Sequence, residues 1–159
     1  MHTDNMIYIC APPQHVFELA AAIEDWPRLL PHYRYVRKVA ECGSSDVACG
    51  PVYAMQALRT GYPCSWTSIQ QVDREGRRVL YHHVAGVTTG MDVTWHVDQE
   101  GNFTRVSIVH DLEPRWWWLK PAPLSWLVGR EFVMHIAQNT LRGVKRAAET
   151  TLQEGREQA

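Results

Sequence analysis

The chain has no Cys-x-x-Cys pair. Its four cysteines, Cys10, Cys42, Cys49 and Cys64, are spaced for neither a zinc ribbon nor a thioredoxin-type redox centre, and we read them as reduced thiols. No apolar run approaches the ~20 residues that a membrane span requires. The opening Met1-His2-Thr3-Asp4-Asn5 lacks the basic-then-apolar pattern of a secretory signal. Neither sign of charge is in excess: sixteen Lys+Arg against seventeen Asp+Glu leave a net charge of −1. No overall positive field therefore attracts nucleic acid or an anionic membrane, although a local patch stays open. Gly-x-Gly-x-x-Gly and Walker loops are missing, so nucleotide binding has no support. Ser65 and Ser68 stand in no nucleophile-elbow context. No His, Cys or carboxylate spacing makes a metal site, and His82 and His83 are strand neighbours that face opposite ways. The expectation is a soluble, cytoplasmic protein with no metal, no cofactor and no nucleic-acid partner.

Tryptophan is what the chain has in quantity: seven, at positions 26, 66, 95, 116, 117, 118 and 126. With 159 residues, 45% hydrophobic and 21% charged, the chain reads as one globular domain over 1–159 with a sizeable core. No repeat, low-complexity tract or linker divides it.

The pattern predicts a short strand over 6–10, stopped by Ala11-Pro12-Pro13, whose prolines suit a helix entry. Val16, Phe17, Leu19, Ala20 and Ile23 recur at helical spacing over 14–23. Asp25 is placed to cap a second short helix over 26–30, which Pro31 ends. A strand over 33–40 and four or five more follow, with turns near Gly43-Ser44-Ser45, Gly61, Arg74-Glu75-Gly76, Gly90 and Glu100-Gly101. Met91, Val93, Trp95 and Val97 alternate with Asp92, Thr94 and His96, and Thr104, Val106, Ile108 and His110 with Phe103, Arg105 and Ser107. One apolar and one wet face mark an antiparallel sheet packed on one side. Its partner is a long helix from about 125 to about 154, carrying Phe132, Val133, Ile136, Thr140, Val144 and Ala147 along one side and Arg130, Arg142, Lys145 and Glu149 elsewhere. The expected class is α+β: a curved antiparallel sheet of about seven strands around a long C-terminal helix, with two short helices after the first strand. One helix does not fill the concave side of so large a sheet, so a ligand-holding hollow between them is expected.

His2-Thr3-Asp4-Asn5, Ala11-Pro12 before the first helix, and Trp26-Pro27-x-Leu29-x-x-x-Tyr33 resemble the single-domain aromatase/cyclases of bacterial aromatic polyketide pathways, the tetracenomycin and spore-pigment cyclases above all. The likeness continues through Trp66-Thr67-Ser68, Arg77-x-Val79, Met91-x-Val93-x-Trp95 and the final helix, and covers nearly the whole chain. It implies the helix-grip fold of the START-like (SRPBCC) superfamily. It also implies the family's cofactor-independent chemistry: a poly-β-keto chain, received from an acyl carrier protein, is folded in the cavity, closed by aldol addition and dehydrated to an aromatic ring. Tyr33, Trp26, Trp66 and Trp95 match the family's pocket residues. The chain departs where the family carries two interior arginines, with Gln70 and His83 in their places. Glutamine neither donates a proton at neutral pH nor stabilises an enolate as a cation does.

Aldol closure needs a base for the acidic proton between two carbonyls and a donor for the developing enolate oxygen. If the apolar residues mark the inner face, Gln70, His83 and His110 project inward. Histidine titrates near neutrality and suits the base, while Tyr33, Ser68 and Gln70 are candidate donors. The candidate catalytic set is thus Tyr33, His83, His110 and Gln70. The candidate ligand-contacting set is Trp26, Trp66, Ser68, Tyr81, Met91, Trp95, Ile108, Phe132, Ile136 and Thr140. The competing reading is that these polar groups satisfy one another or bound water. On the long helix, Asn139, Thr140 and Gly143 either leave volume for a ligand or allow a close approach at Gly143.

Arg115-Trp116-Trp117-Trp118-Leu119-Lys120-Pro121 leads into that helix. Three consecutive indoles cannot all point into one core. Trp116, Trp117 and Trp118 form an entrance or lid, a docking surface for a carrier protein or a second subunit (which leaves a homodimer open), an interfacial anchor between Arg115 and Lys120, or a layer packed on the helix and strand ends. Arg59 and Arg130 either reach the entrance or stay solvated. The two functional classes in contention are a polyketide cyclase/aromatase and a non-catalytic carrier of a lipid, isoprenoid or aromatic compound. A third reading, an oligomeric interaction protein, rests on the tryptophan segment alone.

Overall fold

Strands β1 (His2–Ile9), β2 (Tyr33–Glu41), β3 (Pro51–Arg59), β4 (Tyr62–Asp73), β5 (Arg78–Gly86), β6 (Met91–Glu100) and β7 (Phe103–Leu112) form one antiparallel sheet in the order β1-β7-β6-β5-β4-β3-β2. Helices α1 (Pro13–Ala21) and α2 (Trp26–Leu29) follow β1, joined through a single 3-10 turn, and α3 (Pro123–Glu157) follows β7. The structure is a computed structural model describing residues 2–41, 50–59, 61–86, 88–112 and 123–157, apart from the side chains of 59, 123–130, 132 and 154–157. Among the described residues no helix is long and apolar enough to cross a membrane.

The inner-face residues expected for the last two strands, Met91, Val93, Trp95 and Val97, then Thr104, Val106, Ile108 and His110, are all buried, but Ser107, expected on the wet face of β7, is buried too at 5% exposure, so alternation breaks there. β1 starts earlier than the apolar pattern indicates, pairing with β7 from His2 opposite Asp111 to Ile9 opposite Thr104. Its first inward positions are Thr3 and Asn5, buried but polar, so hydrophobic alternation does not reveal them. α1 buries Val16, Phe17 and Ala20 and ends at Ala21, and buried Ile23 opens the 3-10 turn instead of continuing the helix. Asp25 does stand at the cap position of α2, but without a capping bond; its carboxylate faces Arg28 at 3.5 Å.

On α3 the buried side includes Val133, Ile136, Thr140 and Val144 as expected, and also Ala137, Leu141 and Ala148, while Ala147 is only half-buried. Gly143 serves close approach. A Cβ there would lie 2.2 Å from Leu30 Cδ2, just beyond α2, so the missing side chain admits a fully buried leucine and not a ligand.

Thr104, fully buried, donates its hydroxyl proton to the carbonyl of Ala11 at 2.5 Å and so ties β7 to the corner between β1 and α1. Thr104→Val keeps the shape and deletes that bond, and should lower stability by about 1–2 kcal/mol. A urea titration checks this, and an unchanged midpoint would show that the corner does not depend on the bond.

Candidate active site and its lining

Cross-strand register builds the site in rows. Tyr81, Val93 and His110 stand side by side on β5, β6 and β7, and Val79, Trp95 and Ile108 make the next row. α2 brings Trp26 and the start of β2 brings Tyr33 toward this face, while α3 crosses it with Val133, Ile136, Ala137 and Thr140. Between them lies a cavity of about 70 Å³, several times the ~10–15 Å³ that one water needs.

Five tryptophan and tyrosine rings stand in the wall among smaller apolar side chains. Trp26 is the hub: its ring centroid lies 5.1 Å from Tyr33 in an edge contact, 5.6 Å from Trp95 and 6.3 Å from Tyr81. Its indole N–H donates to the Leu19 carbonyl at 3.1 Å, which fixes the ring against the end of α1. Tyr33 stands 6.1 Å from Trp66, and Trp66 stacks on His83 at 5.9 Å with the planes 12° apart. Such contacts orient rings as well as bury them.

The polar lining is sparse. His83 Nδ1 is 2.5 Å from Thr88 Oγ1, and His110 Nδ1 is buried with no partner among the described residues. Burial, with His110 and His82 adding, pushes His83 down to about 3. Burial pushes His110 down to about 4 against the opposing effect of Asp111. Both imidazoles are therefore neutral at pH 7. Burial likewise pushes the Tyr33 and Tyr81 hydroxyls well above the usual phenol range, with Thr140 and Gln70 opposing it. The described lining includes no Asp, Glu, Lys or Arg, so these walls carry no formal charge near neutrality.

Of the residues singled out in the sequence, Tyr33, His83, His110, Trp26, Trp66, Tyr81, Met91, Trp95, Ile108, Ile136 and Thr140 all line the cavity. Gln70 and Ser68 do not. The Gln70 amide donates to the Ala21 carbonyl at 2.9 Å and to the Tyr81 hydroxyl at 3.2 Å. It thus anchors the end of α1 to the sheet. Ser68 is fully buried opposite Tyr53 and His83, with its hydroxyl unpartnered among the described residues. Trp116, Trp117 and Trp118 and the side chains of Phe132, Arg59 and Arg130 lie outside the described residues.

Met55, Thr88, Val93, Val133 and Ala137 complete the wall. Beside it stands His32, a residue outside the candidate set: its Nε2 is 3.0 Å from Thr140 Oγ1 and its ring 4.7 Å from that of Tyr33. Burial, with His135 adding, pushes His32 down to about 4. The available signal was adjacency in the chain to Tyr33.

Residues 9–140 match the family described as polyketide cyclase/dehydrase and lipid transport. A Streptomyces halstedii protein named "Putative polyketide cyclase" is 31% identical over 99 residues, 62% of this chain and 88% of that protein. The di-domain aromatase/cyclase BexL of the BE-7585A biosynthetic pathway is 25% identical, with a TM-score of 0.70 over 94% of this chain and 46% of that one. A START superfamily protein from Mycobacterium smegmatis, 12% identical, has a TM-score of 0.69 over 94% of this chain and 98% of that one, which shows the shared fold.

Proposed function

From a chain that belongs to the polyketide cyclase/dehydrase and lipid transport family, we propose a cofactor-independent cyclase/aromatase whose cavity folds an uncharged poly-keto guest and promotes aldol closure with loss of water. The guest arrives on an acyl carrier protein or already released. The observation that carries this reading is a wall with five aromatic rings and no formal charge among the described residues, and in it an imidazole nitrogen, His110 Nδ1, with no partner among the described residues.

With its proton on Nε2, His110 offers the Nδ1 lone pair to a methylene proton between two carbonyls. The resulting enolate oxygen takes a hydrogen bond from the Tyr33 hydroxyl, which burial keeps protonated. The enolate carbon adds to a second carbonyl and forms the ring bond. The imidazolium gives its proton to the alkoxide that results; His110 then removes the second proton of the same methylene carbon and delivers it to the hydroxyl, which leaves as water as the ring double bond forms. A histidine with its pKa held near 4 is a modest base but a ready acid, which favours the dehydration half.

The stacked rings hold the guest, and the absence of charge disfavours a carboxylate. A minimal polyketide synthase supplied with this protein should give a changed cyclisation product. His110→Ala should reduce that product about 100-fold, within the range for loss of an acid–base group, and Tyr33→Phe should reduce it less. An identical product spectrum with and without the protein would remove the enzyme reading. The second reading, a carrier of an uncharged lipid, isoprenoid or aromatic compound, would then stand. It is favoured by the fact that both described Gln70 amide contacts are internal, leaving no cation or donor there for an enolate.

A further inference from the structure

Three polar atoms without a partner among the described residues stand at neighbouring positions of one sheet face; His110 lines the cavity, and Thr3 and Asn5 lie beside it without being part of its lining. β1 is an edge strand, and Thr3 lies directly opposite His110 on β7, with Asn5 opposite Ile108. Alternation puts Thr3 and Asn5 on the same inner face as His110 and Ile108, both of which line the cavity. Directly opposed side chains on neighbouring strands stand about 5 Å apart at Cβ. Thr3, Asn5 and His110 are 5%, 6% and 6% exposed. Thr3 Oγ1, Asn5 Oδ1 and His110 Nδ1 all lack a partner among the described residues. The other Asn5 amide atom is engaged, donating to Gln138 Oε1 on α3 at 3.4 Å, so this helix closes the corner from above. Buried polar atoms are ordinarily paired. Three orphans at neighbouring positions of one sheet face mark a place completed by something else.

We propose that Thr3, Asn5 and His110 form a hydroxyl-binding subsite beside the β1 edge of the cavity, which takes a phenolic O–H of the closed ring once His110 Nδ1 has given up the proton it carried. The proposal rests on the reading of the cavity as a guest site. The complement follows from the atoms. Asn5 Oδ1 only accepts, His110 Nδ1 accepts when the ring proton is on Nε2, and the Thr3 hydroxyl both donates and accepts. A guest hydroxyl donates to one of the two acceptors, Asn5 Oδ1 or His110 Nδ1, and accepts from the Thr3 hydroxyl. An ether oxygen accepts only, and a hydrocarbon edge does neither. The subsite therefore separates hydroxylated aromatics from their methyl ethers, a discrimination that sites built around a hydroxyl perform well. It also points the hydroxyl end of a guest toward β1, which leaves the opposite end facing Trp66 and His83.

Calorimetric titration of the full chain with naphthalene, 2-methoxynaphthalene and 2-naphthol tests it. Wild type should bind 2-naphthol about tenfold more tightly than 2-methoxynaphthalene, the equivalent of one buried hydrogen bond. Thr3→Val, which keeps shape and removes the hydroxyl, should bring that ratio to within about twofold while leaving naphthalene affinity unchanged. Thr3→Ser should restore the preference. A ratio that Thr3→Val does not move, or a wild-type ratio near one alongside measurable naphthalene binding, overturns the subsite alone. Failure of wild type to bind any of the three overturns the guest-site reading and the subsite with it.

Discussion

Lowering the pH from 7 to 5 should destabilise the protein by about 4 kcal/mol through two residues, His83 and His110. Each is 6% exposed, and their pKa values in the fold are held down to about 3 and about 4 against the ordinary 6.5. Between the ordinary value and the depressed ones, the unfolded chain binds protons that the folded chain refuses. This contribution is fully present above pH 6.5 and is lost as the pH falls toward about 4 and about 3. At pH 5 each histidine has lost about 2 kcal/mol, at 1.36 kcal/mol per unit. Against a usual total of ~5–15 kcal/mol, that is a large share. His32, half-buried and pushed the same way, adds a smaller effect of the same sign. Urea midpoints at pH 7, 6 and 5 check this, and His110→Gln should remove roughly half of the pH dependence. A midpoint that stays level from pH 7 to 5 would show that these imidazoles are hydrated in the fold and free to protonate.

The second large effect is expected at Gly86, which faces Trp66 across the β4–β5 ladder beside a register shift. Its φ is +96°, and a Cβ would meet the Ser65 carbonyl oxygen at 2.4 Å and the Trp66 Cα at 2.7 Å. Both obstacles are backbone, so no rotamer change relieves them. Gly86→Ala should cost about 3 kcal/mol from left-handed strain and displaced strands together. For a domain of this size that lowers Tm by about 10 °C. Because the displaced backbone carries Trp66, guest affinity should fall as well. A thermal scan within 2 °C of wild type would mean that the strand pair accommodates the methyl group at little cost, contrary to this geometry.

How much could be read in advance depended on whether the interior is apolar. β6, β7 and α3 could be found from Val93, Trp95, Ile108, Ile136 and their neighbours, because burial there is written in hydrophobic residues. The existence of a cavity followed from one helix set against many strands. The first half of β1 was invisible because Thr3 and Asn5 are polar inside. Gln70 and Ser68 were assigned to the correct face, yet facing inward did not place them on the cavity: the Gln70 amide is spent on the Ala21 carbonyl and the Tyr81 hydroxyl, and Tyr81 also reaches the Ala20 carbonyl at 3.4 Å. That depends on where α1 stops, and its periodicity carries on into Ile23, beyond the true end. Gly143 shows the same limit. Small residues on a helix announce free space, but only the position of Leu30 decides what occupies it.

The pairing of β1 with β7 also sets the order in which this protein can come into being. His2 meets Asp111 across 109 residues of chain. At synthesis rates of about 5–20 residues per second, β1 leaves the ribosome roughly 5 to 20 s before its partner strand. Until then the hairpins from β2 onward can form among themselves, while the first strand waits with its backbone donors unmet. β1 therefore joins the sheet only after β7, more than a hundred residues further on, has been made.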